Sequence, residues 1–158
     1  MAAEIERKFL VRSDAWRASA GEGTPYQQGY LSTEGDRSVR VRLAGGRGAL
    51  TIKSGPTGAT RKEFEYAIPA ADARELLDLA GSRRVEKTRY RIAHGGHTWE
   101  VDEFHSANAG LVLAEIELRS EDEPFAHPEW VGDEVTADPR YFNVSLAVSP
   151  FTSWRAQR

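Results

Sequence analysis

Over most of its length the chain alternates apolar and polar residues with a period of two. That spacing predicts antiparallel strands, because successive side chains of a strand point to opposite faces. Residues 4–11, 26–32, 38–43, 49–54, 61–68, 85–92, 98–104 and 111–119 carry the pattern, about eight strands in all. Ala44-Gly45-Gly46-Arg47-Gly48 reads as one hairpin loop, Gly95-Gly96 as a two-residue turn, and Gly55-Pro56-Thr57-Gly58 as a break between strands. The period lengthens between Pro69 and Ala80, where Ala73, Leu76, Leu77 and Leu79 form an apolar stripe, with Pro69 suited to the entry and Gly81 to the stop. Ser13 is placed to cap a short turn through Trp16, and Asp138-Pro139 predicts a closing helix over 140–148. The stretch 121–137 has no clear period, with His127-Pro128-Glu129-Trp130 a candidate helical turn. Consecutive hairpins of this number tend to close and remove their edges, so the expected fold is mainly β (α+β): an eight-stranded antiparallel barrel or deeply cupped sheet, a meander with flanking helices. Nothing in the composition divides residues 1–158, which are expected to form a single domain.

Residues of equal parity share a strand face, and on seven strands one face is charged. Glu4, Glu6 and Lys8 share a face of the first, with Ile5 and Phe9 opposite. Arg40 and Arg42 oppose Val39, Val41 and Leu43; Thr51 and Lys53 oppose Leu50 and Ile52; Arg61, Glu63 and Glu65 oppose Phe64 and Tyr66. Lys87, Arg89 and Arg91 lie together, Glu100 and Asp102 oppose Trp99 and Val101, and Glu115, Glu117 and Arg119 oppose Ile116 and Leu118. A sheet with one face in water shows the same alternation. Here, however, cations gather on some strands and carboxylates on others, which a solvated face does not require. Inside a small barrel such groups are tolerable only if compensated. A polyanion and metal cations would do so: Arg and Lys for phosphate oxygens, and carboxylate pairs for Mg²⁺ or Mn²⁺.

Composition narrows this picture. A net charge of −3 argues against a nucleic-acid binder, which would need a basic surface. With no cysteine, disulfides, thiol nucleophiles and thiolate metal sites are excluded. No apolar run approaches the roughly 18 residues that span a bilayer, and the first residues lack a secretory pattern, so the expected compartment is the cytoplasm. Lysine is scarce, four against 17 arginines, yet Lys8, Lys53 and Lys87 fall on the charged parity, as if a compact ammonium were needed there. His94, His97, His105 and His127 have no metal-motif spacing and read as surface residues. The serines lack a nucleophile elbow, and the glycine loop at 44–48 lacks the Lys-Ser/Thr of a phosphate-binding loop. The four tryptophans read as packing residues, with Trp154 also a candidate for an interface should the chain form a homodimer.

The ordered set Glu4-Ile5-Glu6-Arg7-Lys8 (an ExExK motif), Arg40-Val41-Arg42, Lys53, Arg61-Lys62-Glu63-Phe64-Glu65, Lys87-Thr88-Arg89 and Glu115-Ile116-Glu117 resembles the CYTH domain family, also called triphosphate tunnel metalloenzymes. The tail Asp138-Pro139-Arg140-Tyr141-Phe142-Asn143 with Pro150-Phe151 is similar to that of its short bacterial members. The resemblance implies an eight-stranded tunnel that cleaves a triphosphate substrate with Mg²⁺ or Mn²⁺. It implies Lys8, Arg40, Arg42, Lys53, Lys87 and Arg89 as phosphate ligands. Glu4, Glu6, Glu115 and Glu117 would be the metal ligands, with Asp102 and Glu100 weaker candidates, and Glu63 and Glu65 would orient the basic residues. Glu4, Glu6, Lys8 and Glu117 are then the residues expected to carry catalysis, through one metal that bridges phosphate oxygens and another that activates water. Inorganic triphosphate, cleaved to pyrophosphate and phosphate, is the leading substrate. A thiamine triphosphatase, an adenylyl cyclase and a non-catalytic polyphosphate-binding module are the alternatives.

Overall fold

The computed structural model describes residues 3–55 and 59–155, so the break expected at 55–58 lies, apart from Gly55, outside the described residues. Nine strands are present: β1 (Ala3–Val11), β2 (Thr24–Glu34), β3 (Arg37–Ala44), β4 (Arg47–Ser54), β5 (Thr60–Ile68), β6 (Arg84–His94), β7 (His97–Phe104), β8 (Val112–Glu117) and β9 (Val131–Glu134). The helices are α1 (Ala70–Ala80), α2 (Asn143–Leu146) and α3 (Phe151–Arg155), with 3-10 turns at Asp14–Ser19, Ser106–Asn108 and Pro139–Tyr141. No helix among the described residues is long and apolar enough to cross a membrane.

All strand pairings are antiparallel, in the order β5-β4-β3-β2-β6-β7-β8-β1-β9. β1 also pairs with β5, Ala3 with Lys62, Glu4 with Arg61 and Ile5 with Thr60, so that β1 to β8 form the expected ring of eight. The ring is not a simple meander. Strands β2 to β5 follow one another, but α1 then carries the chain to the free side of β2, where β6 pairs, and β1 sits between β8 and β5.

Local chemistry explains most of the boundaries. Gly45 and Gly46 adopt φ of 56° and 77°, and Gly95 and Gly96 adopt 59° and 82°, as a two-residue turn matched to strand twist requires. Because the first glycine pair alone makes the turn, Arg47 and Gly48 belong to β4 rather than to a five-residue loop. The strand expected to reach Arg119 ends at Glu117, where the chain turns through Ser120, whose hydroxyl donates to Asp122 (2.8 Å). Within the unpatterned 121–137, the four-residue β9 is too short to display alternation, yet it continues the edge of β1. His127 to Trp130 form no helix. The helix expected over 140–148 is broken at Phe142, which is extended. Its first carbonyl partner is diverted: Tyr141 O accepts from Lys8 Nζ (3.1 Å) rather than continuing a helical ladder.

The apolar core lies mostly outside the ring. Phe9, Ile92, Trp99, Val101 and Ile116 pack beneath Trp16 and Trp130, while Ala73 and Leu77 of α1 cover Val41. The interior face changes character along its length. One step beyond Lys87, Asp102 and Glu115, the same-parity positions Val85, Phe104 and Leu113 are apolar and pack with Tyr141, Leu146 and Phe151 of the C-terminal segment. That segment thus fills one end of the ring, and the other end is left charged.

Candidate active site

The charged end encloses a cavity of roughly 250 Å³, lined from every strand of the ring. Lys8, Arg40, Arg42, Lys53, Lys87 and Arg89 all reach it, as do Glu4, Glu6, Glu100, Glu115 and Glu117. Strand parity therefore assembles the predicted set in one place. None of the four histidines lines it; His97 is held by Glu123 (2.7 Å) and His127 packs on Phe125. Trp16, Trp99 and Trp130 are buried in the core, and Trp154 packs on Tyr141 and Phe151.

The side chains divide into two groups. In the first, cations are held by carboxylates. Arg89 grips Asp102 with both prongs (2.8 and 2.9 Å) and reaches Glu100 (3.2 Å). Lys87 Nζ lies 2.7 Å from the same Asp102, which is fully buried and does not line the cavity. Asp102 is thus an anchor for two cations. Lys8 stands 3.7 Å from Glu115, which also neighbours Arg89 (3.9 Å). Lys53 bridges Glu4 (2.8 Å) and Glu63 (3.6 Å), while Arg40 donates to Thr51 (3.1 Å), which donates to Glu65 (3.2 Å). Glu63 and Glu65 thus contact the basic side or its hydroxyl partner while themselves lining the cavity.

The second group has carboxylates in surplus. Glu6 is directly opposite Glu117 on the β1–β8 ladder. Burial and then the neighbouring Glu115 push the Glu6 carboxyl well above its ordinary range. Burial, followed by Glu4 and Glu100, raises Glu117. Glu4 is raised by burial despite the opposing pull of Lys53. Asp102 and Glu115, by contrast, are lowered: burial works against this, but the cations of the first group outweigh it.

The cations also bear the cost of confinement. Burial, with Arg40 and Arg89 nearby, lowers Arg42 to about 10. Burial lowers Lys87 to about 7, against the pull of Asp102 and with Arg89 adding to the fall. The Nε atoms of Arg40 and Arg61 are buried without a hydrogen-bond partner among the described residues. Unpaired buried donors of this kind are costly and suit an anion.

Sequence reading missed several lining residues. Tyr26 and Tyr30 of β2 reach the cavity, but the charge on that strand, Glu34, lies at its far end beyond a register shift and does not mark the inward parity. Arg91, placed by parity on the charged face but not among the expected ligands, meets Glu100 (3.2 Å) and lines the cavity. Thr136, Phe142, Asn143 and Val144 arrive from outside any regular strand, so no periodicity announces them.

Against known proteins, residues 2–147 match the CYTH domain model. An inorganic triphosphatase of Acetivibrio thermocellus is 47% identical over 156 residues, covering 98% of this chain and 99% of the relative. An inorganic triphosphatase of Nitrosomonas europaea is 40% identical over 150 residues, covering 92% and 97%. Among solved structures, the crystal structure of an inorganic triphosphatase superposes with a TM-score of 0.67 at 39% identity, covering 92% of this chain and 97% of that one. With a ring of eight strands, a charged interior and a match over nearly its whole length, the chain belongs to the CYTH domain family.

Proposed function

We propose that this chain hydrolyses inorganic triphosphate to pyrophosphate and phosphate inside the charged cavity, with Mg²⁺ or Mn²⁺. The observation that carries the reading is the division of the site: a wall of cations held in place by buried carboxylates, beside Glu6 and Glu117, which form no ion pair among the described residues. The two relatives and the solved structure named above are inorganic triphosphatases, which supports the same substrate.

The donor set fits a hard cation. Glu6, raised by burial and by Glu115 and Glu4, and Glu117, raised by burial and by Glu4 and Glu100, would each be relieved by a nearby positive charge. Glu4 and Glu115 stand on the same strands and face, each now balanced by lysine. Among the described residues no group of three or more acidic or histidine side chains is arranged to hold an ion alone. The protein thus offers a partial ligand set, the arrangement Mg²⁺ takes when substrate phosphates complete its shell. Such a cation supplies polarisation of phosphate oxygens and a more acidic water.

This chain's own residues do the rest. Arg40, Arg42, Lys53 and Arg89 offer positive charge from three strands, and the forked guanidiniums can take two phosphate oxygens each. Asp102, gripped from two sides, fixes Arg89 and Lys87 before substrate arrives, so no reorganisation is needed as charge develops on the transferring phosphoryl group. Lys87, lowered to about 7, can carry or release a proton near neutrality.

The test is product analysis: the purified protein is incubated with inorganic triphosphate, thiamine triphosphate and ATP, each with Mg²⁺ or Mn²⁺. Phosphate and pyrophosphate from inorganic triphosphate are expected as the main products. Cyclic AMP from ATP as the main product would overturn the proposal.

A further inference from the structure

Asn143 is the one amide that the C-terminal segment brings to the cavity wall among the described residues. Its carbonyl oxygen accepts from two strands at once: from Lys87 Nζ on β6 (2.9 Å) and from Gln28 Nε2 on β2 (3.1 Å). Gln28, fully buried, turns its own oxygen to Arg42 Nε (3.0 Å), so a chain of polar contacts runs from Arg42 through Gln28 and Asn143 to Lys87. Two donors converging on one side of Asn143 settle which way its amide faces, since the opposite orientation would set N–H against N–H. The amide nitrogen is then left over, with no partner among the described residues, in a side chain that lines the cavity. The segment is held there two residues earlier by Lys8, which donates to Tyr141 O (3.1 Å).

We propose that Asn143 is a substrate-positioning residue of this cavity, donating its amide N–H to a phosphate oxygen while its carbonyl holds Lys87 and Gln28 in place. The inference rests on the triphosphate reading for its ligand. It adds a neutral donor to a cationic site. It also gives the C-terminal segment a part in binding, because filling one end of the ring and presenting Asn143 are done by the same stretch of chain.

Asn143→Asp and Asn143→Ala separate the roles. The aspartate keeps a carboxylate oxygen for Lys87 and Gln28, so the segment stays docked, but it has no N–H and repels a polyanion. Alanine removes the amide without adding charge. Calorimetric titration of inorganic triphosphate into metal-free protein is the readout, alongside thermal unfolding. Both variants are expected to bind about ten-fold or more weakly than wild type, with the aspartate the weaker, the effect of losing a hydrogen bond to a charged group. The aspartate should unfold at the wild-type temperature. A purely structural role predicts the reverse order, alanine worse than aspartate, and that order would overturn the proposal. So would alanine binding as tightly as wild type, which would leave charge alone to explain the aspartate. Hydrolysis is judged separately, by phosphate release from the wild-type protein, so the two readings fail independently.

Discussion

Glu6 on β1 stands directly opposite Glu117 on β8, and among the described residues neither carboxylate forms an ion pair, whereas Glu4, Glu100 and Glu115 all do. Like charges facing each other across an antiparallel ladder destabilise it. On the function proposed above, a bound cation would offset that cost.

Its pH signature follows from the raised carboxyls of Glu6 and Glu117. A raised folded value means that the folded state holds protons the unfolded chain would release. The penalty is absent below the ordinary glutamate range, about 4.3, and grows as pH rises through the folded values. Glu6→Gln should therefore raise the unfolding temperature of metal-free protein near pH 8 by about 1–4 °C, with the gain vanishing near pH 4. The same change, like Glu117→Gln, should lower metal-dependent turnover by about a hundred-fold or more. Thermal unfolding at the two pH values and initial rates of phosphate release check both halves. An unfolding temperature that drops at pH 8 would show that Glu6 is already compensated.

Asp102 should behave as an anchor and not as a metal ligand. It is fully buried and holds Arg89 and Lys87 at 2.8 and 2.7 Å. Removing one partner of a buried ion pair leaves uncompensated charge, which costs about 3–5 kcal/mol. Asp102→Ala should lose stability of that order in urea unfolding. A loss below about 1 kcal/mol would contradict the anchoring role.

Lys87 predicts a proton uptake. Burial, resisted by Asp102, brings it down to about 7, so it is mostly neutral near pH 8 and charged near pH 6. A polyanion beside it favours the charged form. Triphosphate binding should thus take up close to one proton near pH 8 and few near pH 6, read by calorimetry in buffers of different ionisation enthalpy. Lys87→Arg, which stays charged, should abolish the uptake. An uptake unchanged in that variant would assign the proton elsewhere.

The ring and the cavity were legible because strand parity is a local property: Glu4, Glu6 and Lys8, or Arg40 and Arg42, announce a shared face within a few residues. Scarcity helped as well, since Lys8, Lys53 and Lys87 line the cavity while Lys62 is exposed. What remained hidden depends on tertiary contacts. The strand order was unreadable because it is set by α1 crossing outside β2 to β4, and the placing of β1 between β8 and β5 is a contact between segments far apart in the chain. Asp102 shares a face with Glu100, yet only the depth of the structure separates a buried anchor from a lining residue. Asn143 reaches the cavity because Lys8 takes the Tyr141 carbonyl and the predicted helix breaks there, an event without a periodic signal.

Metal-dependent hydrolysis of inorganic triphosphate in this cavity is open to one direct test. The most direct measurement is the initial rate of phosphate release from inorganic triphosphate by chelator-treated protein, before and after Mg²⁺ or Mn²⁺ is restored. No release is expected without the ion, and equimolar phosphate and pyrophosphate once it is added. Release that persists undiminished after chelation, or no release with either ion, would contradict it.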